Sequence, residues 1–241
     1  MLKQPIEPHV KPLDFRAREA INMLRGTVQM AGYHTNVIAV TSALAHEGKS
    51  SLAFRLAQSL SALGGDKRVA FVDCDIRNSR MKKCYRITQK TIGLSEYLCG
   101  NADVESIIYP TDNPQLDIIF CGRSAPNPSE LVSTSLMDDL LARLKQEYQY
   151  VIVDTPPVNL VVDTSIVAPK CDTTLVVVEC GVTGQQELRH AINLLERSGA
   201  KILGIVLNKV DSKNNRYSKY GRGYGRYGYR KYGYGYGEKE K

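Results

Sequence analysis

Asn36-Val-Ile-Ala-Val-Thr-Ser-Ala43-Leu-Ala-His-Glu-Gly48-Lys49-Ser50-Ser-Leu-Ala-Phe-Arg-Leu-Ala57 is the stretch on which the reading of this chain turns. Val37 to Val40 is a short apolar run that reads as a buried strand. From Lys49 onward, Leu52, Leu56, Leu60 and Leu63 recur at helical spacing. A strand, a loop of small residues, Gly-Lys-Ser and a helix together make the setting of a phosphate-binding loop. Backbone N–H groups in the loop and at the helix start have no intrahelical partners, so they point at a bound anion, and the helix dipole adds to the pull. Residues Ala43, Leu44, Ala45, His46, Glu47, Gly48, Lys49, Ser50 and Ser51 are therefore expected to enclose phosphate. Lys49 is expected on the β- and γ-phosphates and the Ser50 hydroxyl on Mg²⁺. Ala43 stands where such loops usually open with Gly, so the pattern is a relaxed Walker A string.

Two downstream stretches fit the same site. In Arg68-Val-Ala-Phe-Val-Asp73-Cys-Asp75-Ile-Arg77 an apolar run leads into two carboxylates one residue apart. Side chains alternate along a strand, so both are expected on one side of its C-terminal end, where open α/β sheets bind ligands. Two like charges there need a cation or a donor between them. In Tyr150-Val-Ile-Val-Asp154-Thr-Pro-Pro157 an apolar run ends on a single Asp, and the Pro pair forces the chain out of strand geometry. That is a Walker B arrangement, with Asp154 expected to order Mg²⁺ or its water beside the loop.

The rest of the chain supplies a domain around these strings. Residues 1–13 hold three prolines and read as an extended arm; Asp14 caps a helix running toward Gly32, with Ala17, Ile21, Leu24 and Val28 on its apolar face. Residues 78–115 are less regular, with short helices expected from Ser95 and around Asp103 to Ile108. A strand at Leu116 to Phe120 then leads to a helix start at Pro128 or Ser129. A helix (Leu136 to Glu147), the Walker B strand, a strand (Thr173 to Glu179), a helix (Gln185 to Ser198) and a strand (Ile202 to Asn208) complete the alternation. The expected fold is a doubly wound, mainly parallel α/β sheet of P-loop NTPase type over residues 14–211.

The 241-residue chain is 43% hydrophobic and 24% charged, which suits one globular domain with an ordinary core. No apolar run approaches the ~18 residues that cross a bilayer, and Met1 to Pro12 lacks the apolar core of a signal peptide. A soluble, cytosolic protein is expected. Cys74, Cys84, Cys99, Cys121, Cys171 and Cys180 form no C-x-x-C pair, and the histidines show no ligand spacing. Reduced, partly buried thiols are expected instead of a zinc site. The net charge is +7, and residues 212–241 carry nine Lys or Arg against two Glu, so all of the excess sits there. A neutral body gives no ground for nucleic-acid binding by the domain.

Residues 212–241 also hold eight tyrosines (Tyr217, Tyr220, Tyr224, Tyr227, Tyr229, Tyr232, Tyr234 and Tyr236), seven glycines and no aliphatic residue. That composition builds no core, so a disordered tether is expected. Such a tail could stack on single-stranded nucleic acid, bind anionic lipid, or accept phosphate on tyrosine. Only the last makes use of the nucleotide site in the same chain. Each phosphate adds about −1.5 to −2 charges, so about four or five would cancel or reverse the tail's charge.

Taken together, the Walker A string at 43–50, the Asp-x-Asp-x-Arg string at 69–77, the Walker B string at 151–157 and the tyrosine cluster resemble the bacterial tyrosine kinases (BY-kinases) of capsular and exopolysaccharide synthesis. Pro126-Asn-Pro-Ser-Glu-Leu131 and Leu203-Gly-Ile-Val-Leu-Asn208-Lys-Val210 are similar to that family too. The resemblance implies transfer of the γ-phosphoryl of MgATP to tyrosines, chiefly the tail's own, in trans between copies. It implies Asn208 among the nucleotide-binding residues and Ser50, Asp75 and Asp154 around Mg²⁺. Lys49, Asp73, Asp75 and Asp154 are then the catalytic set, with the two Walker A′ carboxylates dividing metal ordering and acceptance of the phenol proton, in either order. It further implies a transmembrane modulator that recruits the kinase to the inner face of the membrane, a split arrangement without a fused membrane segment, an opposing tyrosine phosphatase, and homo-oligomeric rings. In the family's ring helix, Glu-x-x-Arg-x-x-Arg, this chain has Glu19, Asn22 and Arg25, and after Arg77 it reads Asn78-Ser79 where a basic residue and proline are common. A partitioning-type switch ATPase of the same fold is the alternative, but those proteins carry an extra Lys where this chain has Leu44.

Overall fold

The structure, a computed structural model, describes residues 5–32, 35–64, 68–79, 81–87 and 91–210, with only the backbone of Cys84. The eight tail tyrosines lie outside the described residues. A compact unit runs to Asn208.

Seven strands form one sheet: β1 (Val37–Ser42), β2 (Arg68–Asp73), β3 (Ile108–Pro110), β4 (Leu116–Ile119), β5 (Tyr148–Asp154), β6 (Thr173–Glu179) and β7 (Ile202–Asn208). Their order is β3-β4-β2-β5-β1-β6-β7. Every neighbouring pair is parallel except β3 with β4. Helices α1 (Phe15–Met30), α2 (Lys49–Ser61) and α3 (Met81–Cys84) precede β3. The short helices α4 (Leu94–Leu98), α5 (Val104–Ile107), α6 (Pro128–Val132) and α8 (Asp163–Val167), and the longer α7 (Ser135–Glu147) and α9 (Gln185–Ser198), complete the set.

The central strands are buried over most of their length because both faces are covered. One face packs Val37, Ala39, Val72, Val151 and Val153 against α7 and α9 through Leu140, Leu144, Ala191 and Leu195. The other packs Ile38, Val40, Phe71 and Ile152 against Phe54, Leu56 and Leu60 of α2. Phe54 meets Phe71 edge-on at 5.3 Å and Tyr85 at 4.5 Å, which seats α2 and its phosphate loop firmly on the sheet.

Asp14 caps α1 as expected, its carboxylate accepting the Ala17 N–H at 2.8 Å. The described part of the arm, residues 5–13, is tied to the domain at Ile6. Ile6 is 2% exposed and bonds both ways across the β3–β4 turn, donating to Pro110 and accepting from Asp112. Leu63 does not belong to the α2 stripe. The helix ends at Ser61, Gly64 turns the chain at φ 68°, and Leu63 is left 46% exposed. The strands and helices from Thr173 to Asn208 fall where their patterns place them, whereas α3, β3 and α8 carry too few residues to show a period.

Candidate active site

The loop leaves β1 at Ala43, which is fully buried, and returns at Gly48. Gly48 has φ 91°, and a Cβ there would lie 2.2 Å from the Asn208 side-chain nitrogen, so only glycine fits. The Asn208 amide donates to the Glu47 carbonyl at 2.8 Å, bringing the end of β7 onto the loop. Ala45 and His46 stand at the surface, with His46 at φ 68°, Leu44 is half-buried and Ser51 is exposed on the first turn of α2. The Ser42 hydroxyl donates to the Leu44 carbonyl at 2.7 Å.

Glu47 has a place in the fold that the sequence hides. In the string it is merely one of the variable loop positions. In the fold its carboxylate is buried, accepts the Leu44 N–H at 2.7 Å, and is bonded by the Glu179 N–H and the Thr183 hydroxyl beyond β6. Those bonds tie the loop to the segment between β6 and α9.

Lys49 opens α2, and its ammonium lies 3.0 Å from Asp75 Oδ2, 3.5 Å from Asp154 Oδ1 and 3.2 Å from the Ser50 hydroxyl. The nearby Ser50 hydroxyl favours the ionised form of Asp154. Burial by itself lowers the Lys49 pKa, but Asp154, Asp75 and Asp73 outweigh it and the net shift is upward, so the lysine is a fixed cation. Asp154 ends β5, and burial holds its carboxyl above the ordinary range against the pull of Lys49. The Pro pair after it is fastened to the sheet. The Pro156 carbonyl accepts from the Thr41 hydroxyl at 2.8 Å and the Thr164 hydroxyl at 2.6 Å, and Val158 N–H donates to Ser42 at 2.9 Å.

Asp73 ends β2 and Asp75 lies in the turn beyond it, yet both face the lysine. Asp75 is taken on both oxygens, by Lys49 and by the Asn78 N–H at 3.1 Å. Among the described hydrogen bonds Asp73 accepts only one, from the Ser79 hydroxyl. Burial first, then the neighbouring Asp154, push Asp73 up to about 7. Arg77 turns away from the lysine and grips Asp163 of α8 through two bonds of 2.8 and 2.9 Å, which holds this turn against the Walker B exit.

Lys49, Ser50, Asp73, Asp75, Asp154 and Asn208 thus converge on one loop. The described partners of the Lys49 ammonium are oxygens, the ligands a hard divalent cation takes, and Mg²⁺ needs only one or two carboxylates beside substrate phosphate. Among the described residues, no three His, Cys, Asp or Glu side chains form a ready-made metal cage.

A family model described as an AAA domain matches residues 35–205. The tyrosine-protein kinase CpsD of Streptococcus agalactiae is 37% identical over 88% of this chain and 91% of its own length. The chain belongs to the bacterial tyrosine-kinase family. The tyrosine-protein kinase ptk of Acinetobacter johnsonii is 34% identical over 86% of this chain but 28% of its own, so BY-kinase domains also occur within much longer proteins. The solved kinase domain of the Escherichia coli tyrosine kinase ETK superposes with a TM-score of 0.74 at 30% identity, covering 81% of this chain and 78% of that one. At the BY-kinase ring-helix positions, Asn22 donates to Glu19 at 3.1 Å and Arg25 donates to the Ser59 carbonyl at 3.0 Å, so Arg25 is engaged within its own chain by α2. No helix among the described residues is long and apolar enough to cross a membrane.

Proposed function

We propose that this chain is an ATP-dependent protein-tyrosine kinase of a capsular or exopolysaccharide system, and that it phosphorylates the tyrosine cluster 217–236 of a second copy. The observation that carries the reading is the Lys49 ammonium set between Asp75 and Asp154 at the mouth of the phosphate loop. Phosphoryl transfer asks for positioning and charge neutralisation more than covalent chemistry. Loop N–H groups from Ala43 to Ser51 hold the phosphates, Lys49 swings from the carboxylates onto the β- and γ-phosphates, and Asn208 keeps the loop in shape. Ser50, Asp75 and Asp154 are the groups that would hold Mg²⁺. Held there, Mg²⁺ would supply positive charge to offset the negative charge on the phosphates.

Asp75 has both oxygens engaged, whereas Asp73 keeps one oxygen clear of them and prefers its proton, so Asp73 is assigned as the base. The phenol oxygen forms its bond to the γ-phosphorus as the bond to the β–γ bridging oxygen breaks. That electron pair leaves with ADP, and the phenol proton passes to Asp73. A base whose pKa lies near 7 suits this transfer better than an ordinary carboxylate. Leu44, in place of the additional loop lysine of partitioning ATPases, argues against a switch ATPase.

The partners in this reading are a membrane-spanning modulator that brings the kinase to the cytosolic face of the membrane, a tyrosine phosphatase and further copies of the chain, in a ring. The test is intact mass of the wild type and of Lys49→Met, each co-expressed with the cytosolic segment of a candidate modulator. Several phosphate increments mapped to 217–236 in the wild type and absent from the variant are expected. Unmodified wild-type protein that still hydrolyses MgATP would overturn the reading in favour of the switch ATPase.

A further inference from the structure

Ser79 occupies a position that neither the loop strings nor the charge of the site calls for, yet its side chain is built into the acidic cluster. Its hydroxyl donates to Asp73 Oδ2 and accepts the Met81 N–H at the start of α3. The Cys121 thiol, two residues beyond β4, is a neighbour of the same hydroxyl, and burial pushes that thiol up to about 12, so it stays neutral. One hydroxyl therefore joins the end of β2 to the start of α3. The preceding residue serves the other carboxylate, since Asn78 donates its N–H to Asp75 Oδ1. The turn 77–79 thus gives each group a separate job: Arg77 to Asp163, Asn78 to Asp75 and Ser79 to Asp73.

We propose that Ser79 is the positioning residue for Asp73 in tyrosine transfer. It pins Oδ2 and so fixes the carboxylate plane, leaving Oδ1 aimed at the phenol. An unpinned carboxylate would rotate about its last torsion, which is broad and two-fold, and would be drawn toward Lys49, the nearest cation. The effect of the pin falls on the step that uses Asp73 and not on the loop groups, with which Ser79 shares none of the described hydrogen bonds. This inference rests on the kinase reading above.

The experiment uses the full chain with its modulator segment, a peptide of residues 217–236 as acceptor, and the variants Ser79→Ala and Ser79→Thr. MgATP affinity is measured by calorimetry, kcat and KM for the peptide by phosphate incorporation, and hydrolysis to water without peptide. In Ser79→Ala, kcat for tyrosine is expected to fall about tenfold, in line with the loss from a misaligned base. MgATP affinity should stay within about twofold, and Ser79→Thr, which keeps the hydroxyl, should recover most of the loss. Unchanged kcat in Ser79→Ala overturns the proposal while leaving the kinase reading intact. Equal losses in MgATP affinity and kcat, or no recovery in Ser79→Thr while both variants show wild-type circular dichroism and melting, also overturn it. A wild type inert toward tyrosine but active toward water removes the kinase reading itself.

Discussion

Replacing Asp73 by Asn should make the ligand-free protein more stable while ending tyrosine transfer. Asp73 sits at 1% exposure beside Asp154 and Asp75, and its carboxyl titrates at about 7 instead of 3.8. A carboxyl whose pKa is raised on folding costs stability once ionised. The contribution is intact below the unfolded value and is lost as pH rises through the folded one. At about 1.4 kcal/mol per unit, a rise of about three units amounts to roughly 4 kcal/mol at pH 8. Asn removes the charge and keeps an oxygen to accept the Ser79 hydroxyl, but its amide hydrogens need partners of their own. A net gain of about 2 kcal/mol or more is expected. For a chain of this size that is a Tm rise of roughly 5 °C. The assay is thermal unfolding of both proteins in EDTA from pH 4 to pH 8.5. The difference should be near zero at pH 4, open between pH 4 and 7, and level off above. Added MgADP should narrow it, because a bound cation offsets the charge that the substitution deletes. A difference that is absent at pH 8, or constant across the range, would refute the claim that ionised Asp73 is held at a cost to the fold.

Three further outcomes are expected. Glu47→Ala removes the acceptor of the Leu44 N–H, the Glu179 N–H and the Thr183 hydroxyl, so MgATP affinity by calorimetry should drop about tenfold with a stability loss of about 1–3 kcal/mol. Arg77→Ala leaves Asp163 buried without its bidentate partner and should cost about 2–3 kcal/mol in urea unfolding, and Arg77→Lys should rescue little because a single ammonium cannot make both bonds. Deleting residues 212–241 should leave MgATP affinity within about twofold and abolish most phosphate incorporation; a loss of nucleotide binding would instead make the tail part of the fold.

Much of the candidate site's geometry was legible in the sequence because its parts are local. Gly48-Lys49-Ser50 needs only the strand before it and the helix after it, both of which show their period over a dozen residues. Asp73, Asp75 and Asp154 announce themselves as charges ending apolar runs. The short elements α3, β3 and α8 were illegible for the opposite reason. A helix of four or five residues has no period, and β3 exists because it pairs antiparallel with β4 and because Ile6 of the arm bonds beside it.

By itself, the sequence determined the α/β alternation, the three strand-end strings and the uneven distribution of charge, since each rests on residues close in the chain. Tertiary structure alone decided which partners the two carboxylates have. Asp73 and Asp75 are equivalent as letters two positions apart. They become different when Lys49 and the Asn78 N–H take Asp75 and the Ser79 hydroxyl takes Asp73. Tertiary structure likewise turned Glu47 from a variable loop residue into the tie to β6 and set Arg25 against Ser59. Hydrogen bonds and burial depend on what the fold brings within about 3 Å, and the partners of Glu47 and Arg77 are residues that no spacing rule connects to them.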